Sequence, residues 1–405
     1  MNAIKNYLVI SIVVVITGCV PEFNSIEFQR ELNVKLVDTS ASKETVLLFH
    51  NLKKLSEEKI IFGHQDATAY GVGWSGDSNR SDIKDVINSY PGLYGWDFSF
   101  LNRQKNVDTQ KYFMAALVKE SFARGGVNTF SWHYNNPATD SSFYDTTIVV
   151  NKILPGGGYY LKYLSALDTI AGYSKTLVDS EGNLIPIIFR PYHEFDGNWF
   201  WWGKPFCSKD EFIELWKTTV DYLKNKKRVK NFIYAFSSDR KFKTEKEFLE
   251  RYPGDEYVDI LGMDNYYDFT PDGNGLEWVK KKLKIISDVA LKKNKIAAFT
   301  ETGLDTIPDP LWWTDKLFKV VDDDSIKIAY IMVWRNANGE HHFAPYKGHA
   351  SAEDFVKFGL HPKILFENQL PDLYTKPLND DTIRSIDKRK KIELIKILGS
   401  VLWLQ

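Results

Sequence analysis

Two textures alternate along this chain. Short apolar bursts, rich in β-branched and aromatic residues, occur at 60–63, 92–96, 127–132, 185–189, 232–236, 258–263, 296–300 and 328–334. Each is a brief run bounded by polar or turn-forming residues, which reads as a buried strand. Between them lie longer stretches with apolar residues at helical spacing, at 45–55, 82–89, 109–123, 159–173, 209–224, 277–291 and 310–321. In one of these, Asp210-Glu211 at the start and Lys224 at the end suit the helix dipole.

The alternation predicts the α/β class and a single (β/α)8 TIM barrel over residues 43–370. No Pro/Gly/Ser linker divides the region, and no internal repeat is present. A doubly wound open sheet would alternate in the same way, so the strand ends decide. They finish in Gly63-His64-Gln65-Asp66, Trp96-Asp97, Trp132-His133, Arg190 to Glu194, Ser237-Ser238-Asp239, Asp264-Asn265-Tyr266, Glu301-Thr302 and Trp334-Arg335-Asn336. A barrel gathers such ends on one face, where a site can form; an open sheet spreads them along a line.

The termini read differently. Lys5 precedes an apolar stretch, 7–16, too short to span a bilayer but suited to an export signal. It ends Ile16-Thr17-Gly18-Cys19, which resembles a bacterial lipoprotein signal. The resemblance implies cleavage after residue 18, lipidation of Cys19, a lipid bilayer as one partner, and a place in the bacterial cell envelope. Residues 19–42 are then expected as a polar tether, and 371–405 as a linker with a terminal helix. Cys207 would be the remaining cysteine, so no internal disulfide is available.

Composition narrows the partners. Net charge is −1, and no basic run with interleaved aromatics offers a groove for nucleic acid. Aromatics make up 15% of the chain, with 12 Trp and 21 Tyr, which favours a flat ligand such as carbohydrate. The histidines are scattered without a His/Cys set at ligand spacing, so no metal or cofactor is expected. A monomer is expected.

The chemistry concentrates in residues 189–204, FRPYHEFDGNWFWWGK, where a buried strand gives way to His193, Glu194 and four consecutive aromatics. A carboxyl beside indole rings suits a sugar site: the carboxyl moves a proton at a glycosidic oxygen, and the rings cover apolar sugar faces. Glu301 follows the seventh apolar run as Glu194 follows the fourth. Buried carboxylates in such places are paired or functional, and cleavage of a glycosidic bond needs two.

Several strings in order resemble the β-mannanases of glycoside hydrolase family 26 from about Phe62 to Phe366. They include Phe62-Gly63-His64-Gln65, Tyr94-Gly95-Trp96-Asp97, Ser131-Trp132-His133, Leu154-Pro155-Gly156-Gly157, Thr300-Glu301-Thr302-Gly303 and Val333-Trp334-Arg335-Asn336-Ala337. The resemblance implies a retaining enzyme that cleaves β-1,4-mannosidic linkages in mannan-type polysaccharide or manno-oligosaccharides, cutting internally or releasing mannobiose from chain ends, with Glu194 as acid/base and Glu301 as nucleophile. It further implies that Trp199 is a platform on the leaving-group side, that Tyr266 hydrogen-bonds the nucleophile, and that Asp264 supports it. His133 and His193 fall on site histidines, and Arg335, after Trp334, on an arginine gripping the second sugar on the glycone side. Trp96 and Trp334, at the ends of the second and eighth strands, are further substrate-binding candidates. Tyr144 stands where many relatives carry tryptophan. Other readings are a family member acting on β-1,3-xylan or mixed-linkage β-glucan, and a non-catalytic glycan-binding lipoprotein. His64 is expected to be structural.

Overall fold

A computed structural model describes residues 23–102 and 106–390; the expected signal and Cys19 lie outside the described residues. Eleven strands are present among those described: β1 (Ile60–Gln65), β2 (Tyr70–Gly71), β3 (Trp74–Ser75), β4 (Leu93–Asp97), β5 (Val127–Trp132), β6 (Ile187–Pro191), β7 (Phe232–Asp239), β8 (Ile260–Asn265), β9 (Ile296–Thr302), β10 (Tyr330–Val333) and β11 (Ile364–Leu365). Eight of them, β1 and β4 to β10, pair in parallel in chain order, and β10 closes onto β1. The eight expected strands are therefore these eight, with ends shifted by a few residues. β2 and β3 form a small antiparallel hairpin after β1, and β11 adds to the base of β1.

Alternation sorts the side chains. Ile61, Leu93, Ile188, Ile233, Ile260, Ile296 and Tyr330 belong to one apolar cluster, which fills the barrel. Phe62, Tyr94, Phe130, Phe189, Tyr234, Leu261 and Ile331, one position along, belong to another shared with the surrounding helices. Higher in the barrel, glycines make room: a Cβ at Gly95 would lie 2.1 Å from Gln65 Oε1 and 2.5 Å from Met332 Sδ.

The helices follow the expected spacing, among them Val107–Ala123, Tyr160–Ser174 and Leu276–Lys292. Lys209–Asp221 starts with a capping box between Ser208 and Glu211 and ends in a wider π-type turn, Tyr222–Lys226. The helix expected at 310–321 is present over 312–321, with a wider π-type stretch, Trp313–Phe318, and both Trp312 and Trp313 are fully buried.

The expected tether and linker need correction. Ser25–Glu31 is helical, and Val34, Leu36 and Ala41 join the barrel-filling cluster together with Leu373, Leu378, Ile383 and Ile386. Both segments cap the N-terminal end of the barrel. Asp259 at the foot of β8 accepts the Val37 N–H (2.7 Å), while Asn51 bonds the backbone of Leu373 (3.0 Å), Lys376 (2.9 Å) and Leu378 (2.8 Å). An extended segment whose few apolar residues cover an open barrel end has no helical or strand period, so its pattern looks like a tether. The terminal helix is present over 380–390.

Candidate active site

At the opposite, C-terminal end the strand ends converge. β6 leaves the barrel through Pro191, and Tyr192 (φ 50°) and Glu194 (φ 55°) both take left-handed backbone conformations. Each costs an L-residue roughly 1–2 kcal/mol, and such strain persists where packing fixes it. Here Tyr192 is wedged among Trp132, Trp201, Trp202 and Trp216. The Glu194 N–H donates to the Ser237 carbonyl (3.0 Å), fixing the turn to β7.

The four aromatics that follow divide into two pairs of roles. Trp201 and Trp202 are fully buried and donate their indole N–H groups to the carbonyls of Tyr134 (2.7 Å) and His193 (2.8 Å), as core residues. Trp199 stays half-buried beside the mouth and donates to Glu194 Oε2 (2.6 Å). Phe200 stacks under Tyr144 at 5.5 Å.

Across the barrel, Glu301 ends β9, where a register irregularity opposite Met263/Asp264 brings Glu301 level with Asp264. Tyr266 Oη donates to Glu301 Oε2 (2.7 Å), and Arg190 Nη2 donates to Glu301 Oε1. Arg190 Nη1 donates to Asp264 Oδ2 (2.8 Å), and Thr300 Oγ1 to Asp264 Oδ1 (2.6 Å). One buried guanidinium thus serves two buried carboxylates. The sequence reading missed Arg190, although an arginine inside an apolar strand, in phase with Ile188, signals an inward cation awaiting a buried anion.

Glu194 has a different environment. Burial first, then the charges of Asp264, Glu301 and Asp239, push its carboxyl well above the usual range, and the Trp199 N–H opposes this only in part. The shift favours the protonated form. His193 is pushed well below its usual range by burial, Arg190 and His133, so its imidazole is neutral.

Strand β4 corrects one expectation. Trp96 is 0% exposed, lies in the cluster shared with the helices, stacks on Tyr94 and donates to Asn128 Oδ1 (2.7 Å), so it does not reach the mouth. Period two places its neighbour Asp97 inward instead. Asp97 is bonded to His133 Nδ1 and accepts Ser131 Oγ (3.0 Å) and the Ser99 N–H (2.6 Å). Burial raises its carboxyl, but the partnership with His133 and the backbone donors outweighs that and holds it at about 2. The pair fixes the His133 ring, which meets His193 at 4.6 Å and Trp334 at 6.1 Å.

Arg335 stands half-buried at the end of β10, with its Nη1 3.4 Å from Tyr70 Oη, which in turn donates to Asp66. The β2–β3 hairpin that carries Tyr70 is fixed by Asp82, which accepts Trp74 Nε1 (2.7 Å), the Val72 N–H (3.0 Å) and Asn336 Nδ2 (2.8 Å). His64 is buried beside Asp82 and Asn336, away from the mouth. Tyr144 is 59% exposed, and Glu194, Glu301 and Arg335 all act on its hydroxyl, so the variant loop overlooks the site. His193, Asp264 and Glu301 bring one potential ligand atom each within 4.8 Å, but Arg190 already supplies the positive charge between the two carboxylates.

This arrangement can donate a proton from one carboxyl to a leaving oxygen while the other carboxyl bonds to the carbon that oxygen leaves. The family model for glycosyl hydrolase family 26 matches residues 37–354. A mannan endo-1,4-beta-mannosidase of Bifidobacterium adolescentis is 33% identical over 80% of this chain, and the chain spans about a third (35%) of that protein. One of Bacillus subtilis strain 168 is 27% identical, with 75% of this chain and 82% of that protein aligned. Among solved structures, GH26C from Muricauda sp. MAR_2010_75 superposes with a TM-score of 0.82 at 40% identity, covering 88% of this chain and 99% of that one. The GH26 beta-mannanase BoMan26A from Bacteroides ovatus gives 0.79 at 41%, covering 84% and 99%.

Proposed function

The chain belongs to glycosyl hydrolase family 26, and from that premise we propose that it hydrolyses β-1,4-mannosidic linkages inside mannan, glucomannan or galactomannan with retention of configuration. The observation that supports this best is the contrast between two carboxyls at one mouth, Glu301 held by Arg190 and Tyr266, Glu194 by a single indole N–H.

Glu301 attacks the anomeric carbon while the bond to the leaving oxygen breaks. Glu194 gives its proton to that oxygen, and a mannosyl ester of Glu301 results. Glu194, now ionised, takes a proton from water. The hydroxide adds to the anomeric carbon and Glu301 leaves, restoring the starting state. Arg190 and Tyr266 hold and aim the Glu301 carboxylate, each donating to one of its oxygens. Trp199 covers the leaving-side sugar, Trp334 and the histidines 133 and 193 surround the reacting sugar, and Arg335 grips the sugar beyond it.

Digestion of a linear β-mannan tests the reading. A ladder of oligosaccharides whose new reducing ends are first β by NMR supports internal, retaining cleavage. Disaccharide alone would mean release of mannobiose from chain ends, α-anomers would overturn retention, and no cleavage would leave a glycan-binding protein. We also propose that Cys19 carries lipid and tethers the enzyme in the cell envelope, on the evidence of the Ile16-Thr17-Gly18-Cys19 string. Changing Cys19 to Ala should then release the protein from the membrane fraction and abolish labelling by fatty acid; retention would refute it.

A further inference from the structure

The strand that clamps the proton donor carries a third carboxylate. Glu194 N–H is bonded to Ser237, and two residues along the same face of β7 stands Asp239, in register with Asp264 on β8. Asp239 is 6% exposed, and among the described residues its Oδ2 has no hydrogen-bond partner. A buried carboxylate oxygen without a donor is costly and calls for a reason. Its placement is built: Asp196 accepts the Asp239 N–H (2.6 Å) on one oxygen and the Lys241 N–H (3.1 Å) on the other. The cations that follow Asp239 make no salt bridge to it; Arg240 lies over the Tyr267 ring (4.0 Å) and Lys241 over Trp199 (4.9 Å), and their charges act on Asp239 only through space.

We propose, resting on the reading of Glu194 as proton donor, that Asp239 is a positioning residue for that proton: a fixed anion whose repulsion makes Glu194 hold its hydrogen until the leaving oxygen draws it off. The groups facing Glu194 are Asp264 on β8 and Glu301 on β9, Tyr266 after β8, Tyr144 from the loop after β5, and Trp199 on its own turn. Asp239 itself faces Asp196, Arg240, Lys241 and Lys282, and Lys282 is paired with Asp268 (2.7 Å). Asp264 and Glu301 share the buried Arg190, whereas Asp239 has no salt-bridge partner among the described residues; burial raises its carboxyl, and Arg240, Lys241 and Lys282 oppose this from a distance.

The test is kcat/KM on mannotetraose as a function of pH for the wild type, Asp239→Asn, Asp239→Glu and Glu194→Gln. A donor works protonated, so activity falls as pH rises through its pKa. Removing a neighbouring anion lowers that pKa, and Asp239→Asn should move the alkaline limb to lower pH by about one unit. That is roughly a tenfold loss above the limb, with little change on the plateau. Asp239→Glu should restore the limb, and a dinitrophenyl mannobioside, whose leaving group needs no proton, should show no displacement. Coincident limbs for wild type and Asp239→Asn would overturn the role of Asp239. A limb that survives in Glu194→Gln would instead overturn Glu194 as donor. If Asp239→Asn fails to fold by circular dichroism, Asp239→Ser is read by the same criterion.

Discussion

On the β8–β9 side of the mouth, Glu301 accepts Arg190 and Tyr266, and Asp264 accepts Arg190 and Thr300. On the β6–β7 side, Glu194 accepts one indole N–H, and Asp239 keeps an oxygen with no partner among the described residues. Residues of one chemical type, at matching heights on one barrel, thus stand in opposite surroundings. Burial first, then the neighbouring carboxylates, push the Glu194 carboxyl well up, which favours the protonated form that an acid needs, while two donors hold and aim Glu301. The proposed division of labour thus rests on the neighbours, not on the glutamates themselves.

The largest effect should come from the donor-rich side. Glu301→Ala should reduce kcat on mannan by roughly 10⁴-fold or more without altering the far-UV circular dichroism. Appreciable activity would displace it as nucleophile. Arg190→Met should come next, because it leaves two buried carboxylates without their cation. A stability loss of about 3–5 kcal/mol is expected, read by urea unfolding, together with loss of turnover. A wild-type unfolding midpoint would mean that the cation is dispensable.

On the donor-poor side the loss should depend on substrate. Glu194→Ala should lower the rate on mannan by about 10²–10⁴-fold, yet still form the glycosyl-enzyme from an activated aryl mannobioside. Azide should then speed its breakdown with retained configuration, and equal losses on both substrates would count against an acid role. Outside both halves, Arg335→Ala should cost about ten- to a hundredfold in kcat/KM on mannotetraose and barely affect an aryl mannoside, which places no sugar there. Equal losses would mark a collapsed site.

The smallest expected effect concerns pH and stability. Burial, with the neighbouring charge of Asp239, raises Asp196 to about 7, and burial raises Asp259 to about 6. Groups whose folded pKa exceeds the unfolded value take up protons on folding, so their contribution should strengthen as pH falls from about 7 towards 4. Thermal melts at pH 5 and 8 check this, and in Asp196→Ala the difference should shrink; an unchanged difference would exclude Asp196 as its source.

By itself the sequence determined the barrel, because eight buried runs alternating with amphipathic stretches have few other ways to cover their apolar faces. It also placed Glu194, Glu301 and Arg335 just at or past strand ends, where the fold brings them to one face. Only the tertiary structure decided which member of each strand-end string turns inward. Trp96 and Asp97 are adjacent and equally plausible in one dimension, yet period two and the strand's rotation send the indole to the helices and the carboxylate to His133. Arg190 and Asp239 were hidden for a related reason. Their meaning depends on partners 111 and 43 residues away along the chain, Glu301 and Asp196, and those distances close only when the barrel does.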